Sequence, residues 1–336
     1  MAKFWIGKKK EMALAQSVSE HIQNLPDSEL FSTVAFDDSE AERGGYSNYS
    51  YWRSTFLVFL KNRTAFMLLI LMGLLITFAL IQPYLPGQRE ATAIFQNPQT
   101  GLQYRNIPPG KLGFILGSNA IGQDMWARIW SGTRTSLFIG FTVAMVEVIV
   151  GILIGALWGY IRPLDRFITE VYNVLNNIPT TIVLILFTYI LKPSMRTMII
   201  AMCATGWIGM ARFIRNQIII IRDREYNLAS RCLGVSPGRI IMKNLLPYLV
   251  SVIMMRMVLA IPGAIGSEVF LTYIGLGLPV NIPSLGNLVN EGRKLMLLSS
   301  LRYQLLFPLG VVSLISIAFY VLGNAFADAA DPKSHV

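Results

Sequence analysis

The chain has 336 residues, 53% hydrophobic and 14% charged, with a mean hydropathy of +0.50. A soluble globular domain carries about 25% charged residues; here the shortfall is concentrated in long uncharged stretches, which excludes a pair of ordinary soluble domains and reads as membrane. The net charge of +10 would raise nucleic acid as a partner in a soluble chain, but in a membrane chain it reads as Lys/Arg excess in the loops of the cytoplasmic side.

Residues 1–63 are polar and mixed in charge and are expected to form a cytoplasmic N-terminal segment. Lys8, Lys9 and Lys10 are followed by no apolar run with a cleavage site, so no cleaved secretory signal is expected. Trp52, Phe56 and Phe59, beside Arg53, Lys61 and Arg63, suit an interfacial helix. The first span is predicted from Thr64 to about Pro83, followed by a polar loop to about Thr133. The second span covers Ser136 to Tyr160, and its Gly151 and Gly155 form a GxxxG face for close helix approach. The third runs from Phe167 to Leu191 and is interrupted by Pro179; the fourth runs from Thr197 to Phe213 and continues as helix to Ile221. The fifth, Leu245 to Tyr273, is expected to break at Pro262-Gly263. A Gly/Pro-rich stretch, Gly275 to Gly286, precedes a sixth span from Leu305 to Phe326. The predicted fold class is thus an all-α polytopic membrane protein with six transmembrane helices, a permease domain over 64–326 and a short cytoplasmic tail over 327–336. Lys and Arg concentrate in the N-terminal segment and between Arg212 and Lys243, which puts both termini in the cytoplasm.

Two features carry functional information. Charges inside spans must face protein or water, so Glu147, Arg256 and Glu268 are candidates to line a translocation path, against the alternative that each pairs with a neighbouring span. Arg256 and Glu268 lie about 18 Å apart along one helix and do not pair within it. The second feature is the 222–247 segment. Tyr226, Ala229 and Leu233 share one helical face, Gly234 is placed as a C′ cap, and Ser236-Pro237 opens a second helix. This helix–glycine–helix shape suits DNA binding, an ordinary interfacial hairpin, or a docking helix gripped by another protein; DNA binding is disfavoured because both ends run into spans.

The segment resembles the cytoplasmic EAA loop of binding-protein-dependent ABC importers. Ala229 and Ser230 stand for its two alanines, Gly234 for its glycine and Leu246-Pro247 for its Leu-Pro, while Leu228 replaces the motif Glu and Asn244 its Ile. The resemblance implies that Glu225, Leu228, Ala229, Ser230, Arg231, Gly234, Pro237, Leu246 and Pro247 couple the chain to an ATPase, with Glu225 as a substitute for the missing acid. Further stretches resemble the C-type permease of the peptide/nickel branch. These are Leu116 to Asp124 with Arg128, Gly132, Arg134 and Ser136, where Asn119 and Gln123 stand in place of the usual Asp and Arg, and the tail from Leu322 to Lys333. Glu268 to Gly277, followed by Pro279, Pro283 and Ser284, resembles the outer re-entrant segment, making Tyr273, Gly275 and Gly277 candidate gate residues.

The chain carries no G-x-x-x-x-G-K-[ST] phosphate loop. Its two histidines, His21 and His335, are near opposite ends, and Cys203 and Cys232 fall at different predicted depths. No catalytic, cofactor or metal site is therefore expected. The resemblance implies a permease subunit of an ATP-driven oligopeptide importer in a bacterial cytoplasmic membrane. Its implied partners are a homologous second permease, two ATP-binding subunits, an extracytoplasmic peptide-binding protein and membrane lipid. Import of nickel or another small solute is the alternative. An autonomous secondary transporter would show paired broken half-helices at midplane, and a membrane-embedded protease would need a set of catalytic side chains at one depth that this sequence lacks.

Overall fold

The computed structural model describes residues 51–330, of which 51–54 and 330 are described by backbone alone. The N-terminal segment through Ser50 and the signature residues Asp331-Pro332-Lys333 lie outside the described residues. In chain order the helices are α1 (Tyr51–Lys61), α2 (Arg63–Ile81), α3 (Met125–Tyr160), α4 (Arg162–Asn176), α5 (Thr180–Leu191), α6 (Met195–Arg222), α7 (Glu225–Cys232), α8 (Pro237–Ile240), α9 (Leu246–Tyr273), α10 (Leu285–Arg293) and α11 (Tyr303–Ala330). A π-helical turn, Ile241–Leu245, joins α8 to α9. Among the described residues, five helical segments are long and apolar enough to cross a membrane, six if the bent pair α4–α5 counts as one span.

Exposure along these helices is the reverse of a soluble core. Leu74, Leu153, Ile190 and Ile317 point outward, while Ser136, Thr133 and Glu268 are enclosed. Apolar surface gains nothing by moving from lipid to protein, so close fit holds such a bundle together. The α3–α6 seam shows it. Gly151, Gly155 and Gly159 form a line four residues apart, and a Cβ at each would meet Met210 Cβ at 2.6 Å, Ile214 Cβ at 2.8 Å and Arg215 O at 2.9 Å. The GxxxG expectation for Gly151 and Gly155 thus matches the packing.

Several boundaries differ from the sequence reading. The loop expected to reach Thr133 ends at Asp124, which caps α3 by accepting from Trp126 N at 2.8 Å and Ala127 N at 3.4 Å. Arg128 and Arg134 read as loop charges, but Arg128 is buried against Glu291 at 2.8 Å and Arg134 donates to Ala79 O at 3.1 Å. The break expected at Pro262 does not occur, and α9 continues through it. Proline removes one helix donor, and neighbouring helices in a membrane bundle accommodate that loss. The third span is sharply bent instead, by 75° between α4 and α5. Pro179 disfavours helical backbone at Ile178, and α4 has no buried residue of its own. The interfacial helix is only partly superficial: Phe56 is exposed, but Phe59 is buried with its ring 6.0 Å from that of Phe326.

The segment between α2 and α3 is irregular but well tied. Arg89 pairs with Asp124 at 3.3 Å and lies 4.0 Å from the Phe114 ring centroid. Tyr303 Oη lies within donating reach of Ile107 O at 2.9 Å and Ser118 O at 2.7 Å, one proton serving either carbonyl, which joins this segment to the start of α11. Where the resemblance would place Asp and Arg, Asn119 Nδ2 donates to Gln123 Oε1 at 3.0 Å, a neutral pair.

Candidate functional site

The 222–247 loop is built as helix, glycine turn, helix. Gly234 takes φ +78° at C′ of α7. Its N–H donates to Arg231 O at 3.0 Å and Val235 N–H donates to Ser230 O at 3.1 Å, the paired bonds of a Schellman cap. Pro237 opens α8, where Ser236 O accepts from Arg239 N and Ile240 N. The polarity of α7 is inverted. Asn227 is wholly buried, with Ser230 and Arg231 half-buried beside it, while Tyr226, Leu228, Ala229 and Leu233 are exposed, Leu233 by 83%. The predicted face of Tyr226, Ala229 and Leu233 therefore turns away from the chain.

Polar anchors hold that face outward. Asn227 Nδ2 donates to Ile221 O at 2.9 Å, and Asn244 Nδ2 donates to Asn227 Oδ1 at 3.2 Å. Asp223 accepts from Arg231 at 2.9 Å and Arg222 at 3.3 Å, with Arg162 at 3.5 Å. The Arg231 hydrogen bond, more than the other two arginines, holds the Asp223 carboxyl below the usual aspartate range. Arg222 also donates to Gly159 O at 2.7 Å, and Arg215 to Asp165 at 2.7 Å. The α3–α4 turn and the base of α6 thus share one polar network. Glu225 lies exposed in the first turn of α7, Pro237 and Pro247 are exposed, and Leu246 is half-buried.

The intramembrane candidates fall into two groups. Glu147 and Arg256 border cavities between α3, α6 and α9, one of them also lined by α5. Glu268 instead is fully enclosed and works as a pin. Its Oε2 accepts from Ser136 Oγ at 2.9 Å and its Oε1 from Ser284 Oγ at 2.8 Å. Ser136 Oγ accepts from Leu285 N at 3.0 Å, and Ser284 Oγ caps α10 by accepting from Asn287 N at 3.1 Å. A carboxylate and two hydroxyls thereby meet the unpaired amides that begin α10. Gly286 and Gly132 leave room, since a Cβ at Gly286 would stand 2.6 Å from Glu268 Oε1 and one at Gly132 2.9 Å from Ser284 C.

Around that pin lie the other gate candidates. Gly275, at φ +84°, closes α9 with a second Schellman cap through Thr272 O and Leu271 O. Gly277 packs on Thr272, and Tyr273 is half-exposed beneath the Arg293 guanidinium, 3.7 Å from its ring centroid. The sequence reading missed α10 as a helix, the anchoring role of Asn227, and the pairing of Ser136 with Glu268. Asn227 stands out locally only as an amide opposite the Tyr226, Ala229 and Leu233 face, which marks a second face without saying that it turns inward. Ser136 and Glu268 are 132 positions apart and had no local signal.

A bundle of apolar helices carrying an outward-facing helix–glycine–helix loop between its fourth and fifth spans is the architecture of a transport permease. Residues 148–336 match the binding-protein-dependent transport system inner membrane component family, and the chain belongs to it. The protein is a membrane component of a binding-protein-dependent transport system. Residues 50–109 match the N-terminal TM domain of oligopeptide transport permease C. The oligopeptide transport system permease protein AmiD of Streptococcus pneumoniae is 35% identical over 309 residues, 92% of this chain and 98% of AmiD. OppC of Bacillus subtilis is 32% identical over 93% of this chain and 99% of its own length. The dipeptide permease protein DppC of the same species is 34% identical over 94% and 95%. Within its family the chain is a C-type permease of the peptide branch.

Proposed function

We propose that this permease imports oligopeptides across a bacterial cytoplasmic membrane with both termini in the cytoplasm. In this reading it pairs with a homologous second permease, receives peptide from an extracytoplasmic binding protein, and takes its energy from two separate ATP-binding subunits. Peptide as substrate rests on the named relatives. Separate ATPases agree with the lack of a phosphate loop in the sequence.

The observation that carries the coupling role is the inverted α7. Its polar stripe is spent on internal anchors, and its stripe of Tyr226, Ala229 and Leu233, flanked by Leu228, has no cover among the described residues. An exposed apolar face on a short helix closed by a Schellman cap suits a partner groove. In this mechanism the ATPases close on ATP and move α7. Asn227 passes the motion to α6 through the Ile221 carbonyl and to α9 through Asn244. The α9 rod, about 42 Å long at 1.5 Å per residue, carries it to Glu268, which draws α10 along and opens or closes the outer side. Leu228 gives the grip an apolar contact where relatives of the motif have an acid, and Glu225 supplies charge one turn earlier.

The test is affinity purification of the assembled importer. Leu233→Asp and deletion of Ala229 to Gly234 should each remove the ATPase subunits while the second permease stays. Co-purification of ATPases at wild-type stoichiometry with both variants would sink the docking role. Labelling of a cysteine at Leu233 from the cytoplasmic side, and of one at Leu102 from outside, tests the orientation.

A further inference from the structure

Two cavities, of about 250 and 220 Å³, lie between α3, α6 and α9, the larger also walled by Thr180 and Leu184 of α5, and share Glu147, Gly206 and Ala260 as a common wall. Taken together they fall in the range of small-ligand pockets, about 300–1,000 Å³. The Glu147 carboxylate occupies a notch at Gly206, where any side chain would collide with it. Arg256 borders the second cavity, its guanidinium 4.4 Å from the Phe213 ring centroid. Neither residue has an ion-pair partner among the described residues. Charges at span depth are costly unless paired or wet. Here opposite charges border one cavity without reaching each other; its wall mixes Gly206, Gly209 and Ala260 with Met210, Phe213 and Leu259, and Gly209 and Gly263 face open space.

We propose that this cavity takes the charged ends of a zwitterionic peptide in transit, with Glu147 receiving the terminal ammonium and Arg256 the terminal carboxylate. The assignment rests on the reading of the chain as a peptide importer. It explains why the two charges are held apart: a ligand carrying both complementary charges supplies what each lacks. Recognition through the termini, with an otherwise uncharged wall, leaves side-chain identity free. Phe213 fixes the guanidinium plane by stacking, a geometry that arginine, and not lysine, maintains.

The experiment uses the complete importer in proteoliposomes with its binding protein. The probes are trialanine, its N-acetyl form and its C-terminal amide. Each variant is expressed as a ratio to wild type for the same peptide, which cancels any preference of the binding protein. Glu147→Gln should lower uptake of trialanine and the amide at least tenfold and that of the N-acetyl peptide less than twofold. Arg256→Gln should show the converse, sparing only the amide. Equal losses on all three peptides, or no loss on any, would overturn the proposal; equal losses would mean that the charges pair with the second permease. Failure of the wild-type importer to take up any peptide would instead overturn the peptide reading itself. A second measurement bypasses the binding protein. In the assembled importer lacking Cys203 and Cys232, Ala260→Cys is labelled with a maleimide. Trialanine should slow labelling at least threefold, and added Arg256→Gln should abolish that protection; equal labelling with and without peptide counts against the site.

Discussion

Replacing Asn227 with alanine removes the contact on which the 222–247 loop turns. The side chain is wholly buried and makes two bonds, donating to Ile221 O at 2.9 Å and accepting from Asn244 Nδ2 at 3.2 Å. A buried hydrogen bond contributes about 0.5–1.5 kcal/mol net, and an abandoned buried partner costs about 1–3 kcal/mol. The abandonment is incomplete on both sides. Ile221 O still accepts from Arg224 N at 3.2 Å, and Asn244 still reaches Ser230 Oγ at 3.4 Å. The loss is therefore about 2 kcal/mol, and it falls on docking α7 rather than on the bundle. At about 1.4 kcal/mol per tenfold, local opening becomes roughly thirtyfold more populated. Hydrogen exchange of the purified protein, read by mass spectrometry, should show amides of 225–235 exchanging about thirtyfold faster, with α3 and the outer half of α9 unchanged. A change below threefold in the loop, or an equal acceleration in α3, would refute Asn227 as the anchor.

Glu268→Ala leaves the hydroxyl protons of Ser136 and Ser284 without their acceptor in an enclosed site, while both oxygens still accept from α10 amides, and should cost about 3 kcal/mol. A thermal scan should show a clear fall in midpoint, with Glu268→Gln milder because an amide keeps one acceptor. Gly151→Leu drives a side chain into Met210 across the α3–α6 seam, an overpacking cost of about 1–3 kcal/mol; the yield of folded protein by size-exclusion profile reads it. The Asp223 carboxyl is held below its ordinary value of 3.8, chiefly by Arg231, so the stability it contributes is present above that value and is lost as pH falls through its lower folded value. Because Asp223 is 44% exposed, solvent screening limits its contribution to below about 1 kcal/mol. Proteolysis of the loop should accelerate only at the acid end of that window, and Asp223→Asn should abolish the difference.

The spans, their order and the helix–glycine–helix loop were legible in the sequence because each rests on local rules. Long uncharged runs suit hydrocarbon, and glycine at C′ followed by Ser-Pro ends one helix and opens another. Gly151 and Gly155 were legible as a close-packing face for the same reason, since their spacing alone puts them on one side of a helix. Local rules misplaced the start of α3, because Arg128 and Arg134 read as water-facing charges. Their partners, Glu291 and the Ala79 carbonyl, are 163 and 55 positions away. The direction of α7 was likewise open, since an amphipathic pattern shows that two faces exist and not which one turns inward. Asn244, on another helix, decided it by taking Asn227 as its acceptor. The sequence by itself thus determined which segments cross the membrane and where the exposed loop lies. Only the tertiary structure distinguished Glu268, enclosed by Ser136 and Ser284 as the pin of α10, from Glu147, left facing a cavity. The sequence presents both simply as acids inside a span; what separates them is the set of donors that distant helices bring within hydrogen-bonding reach.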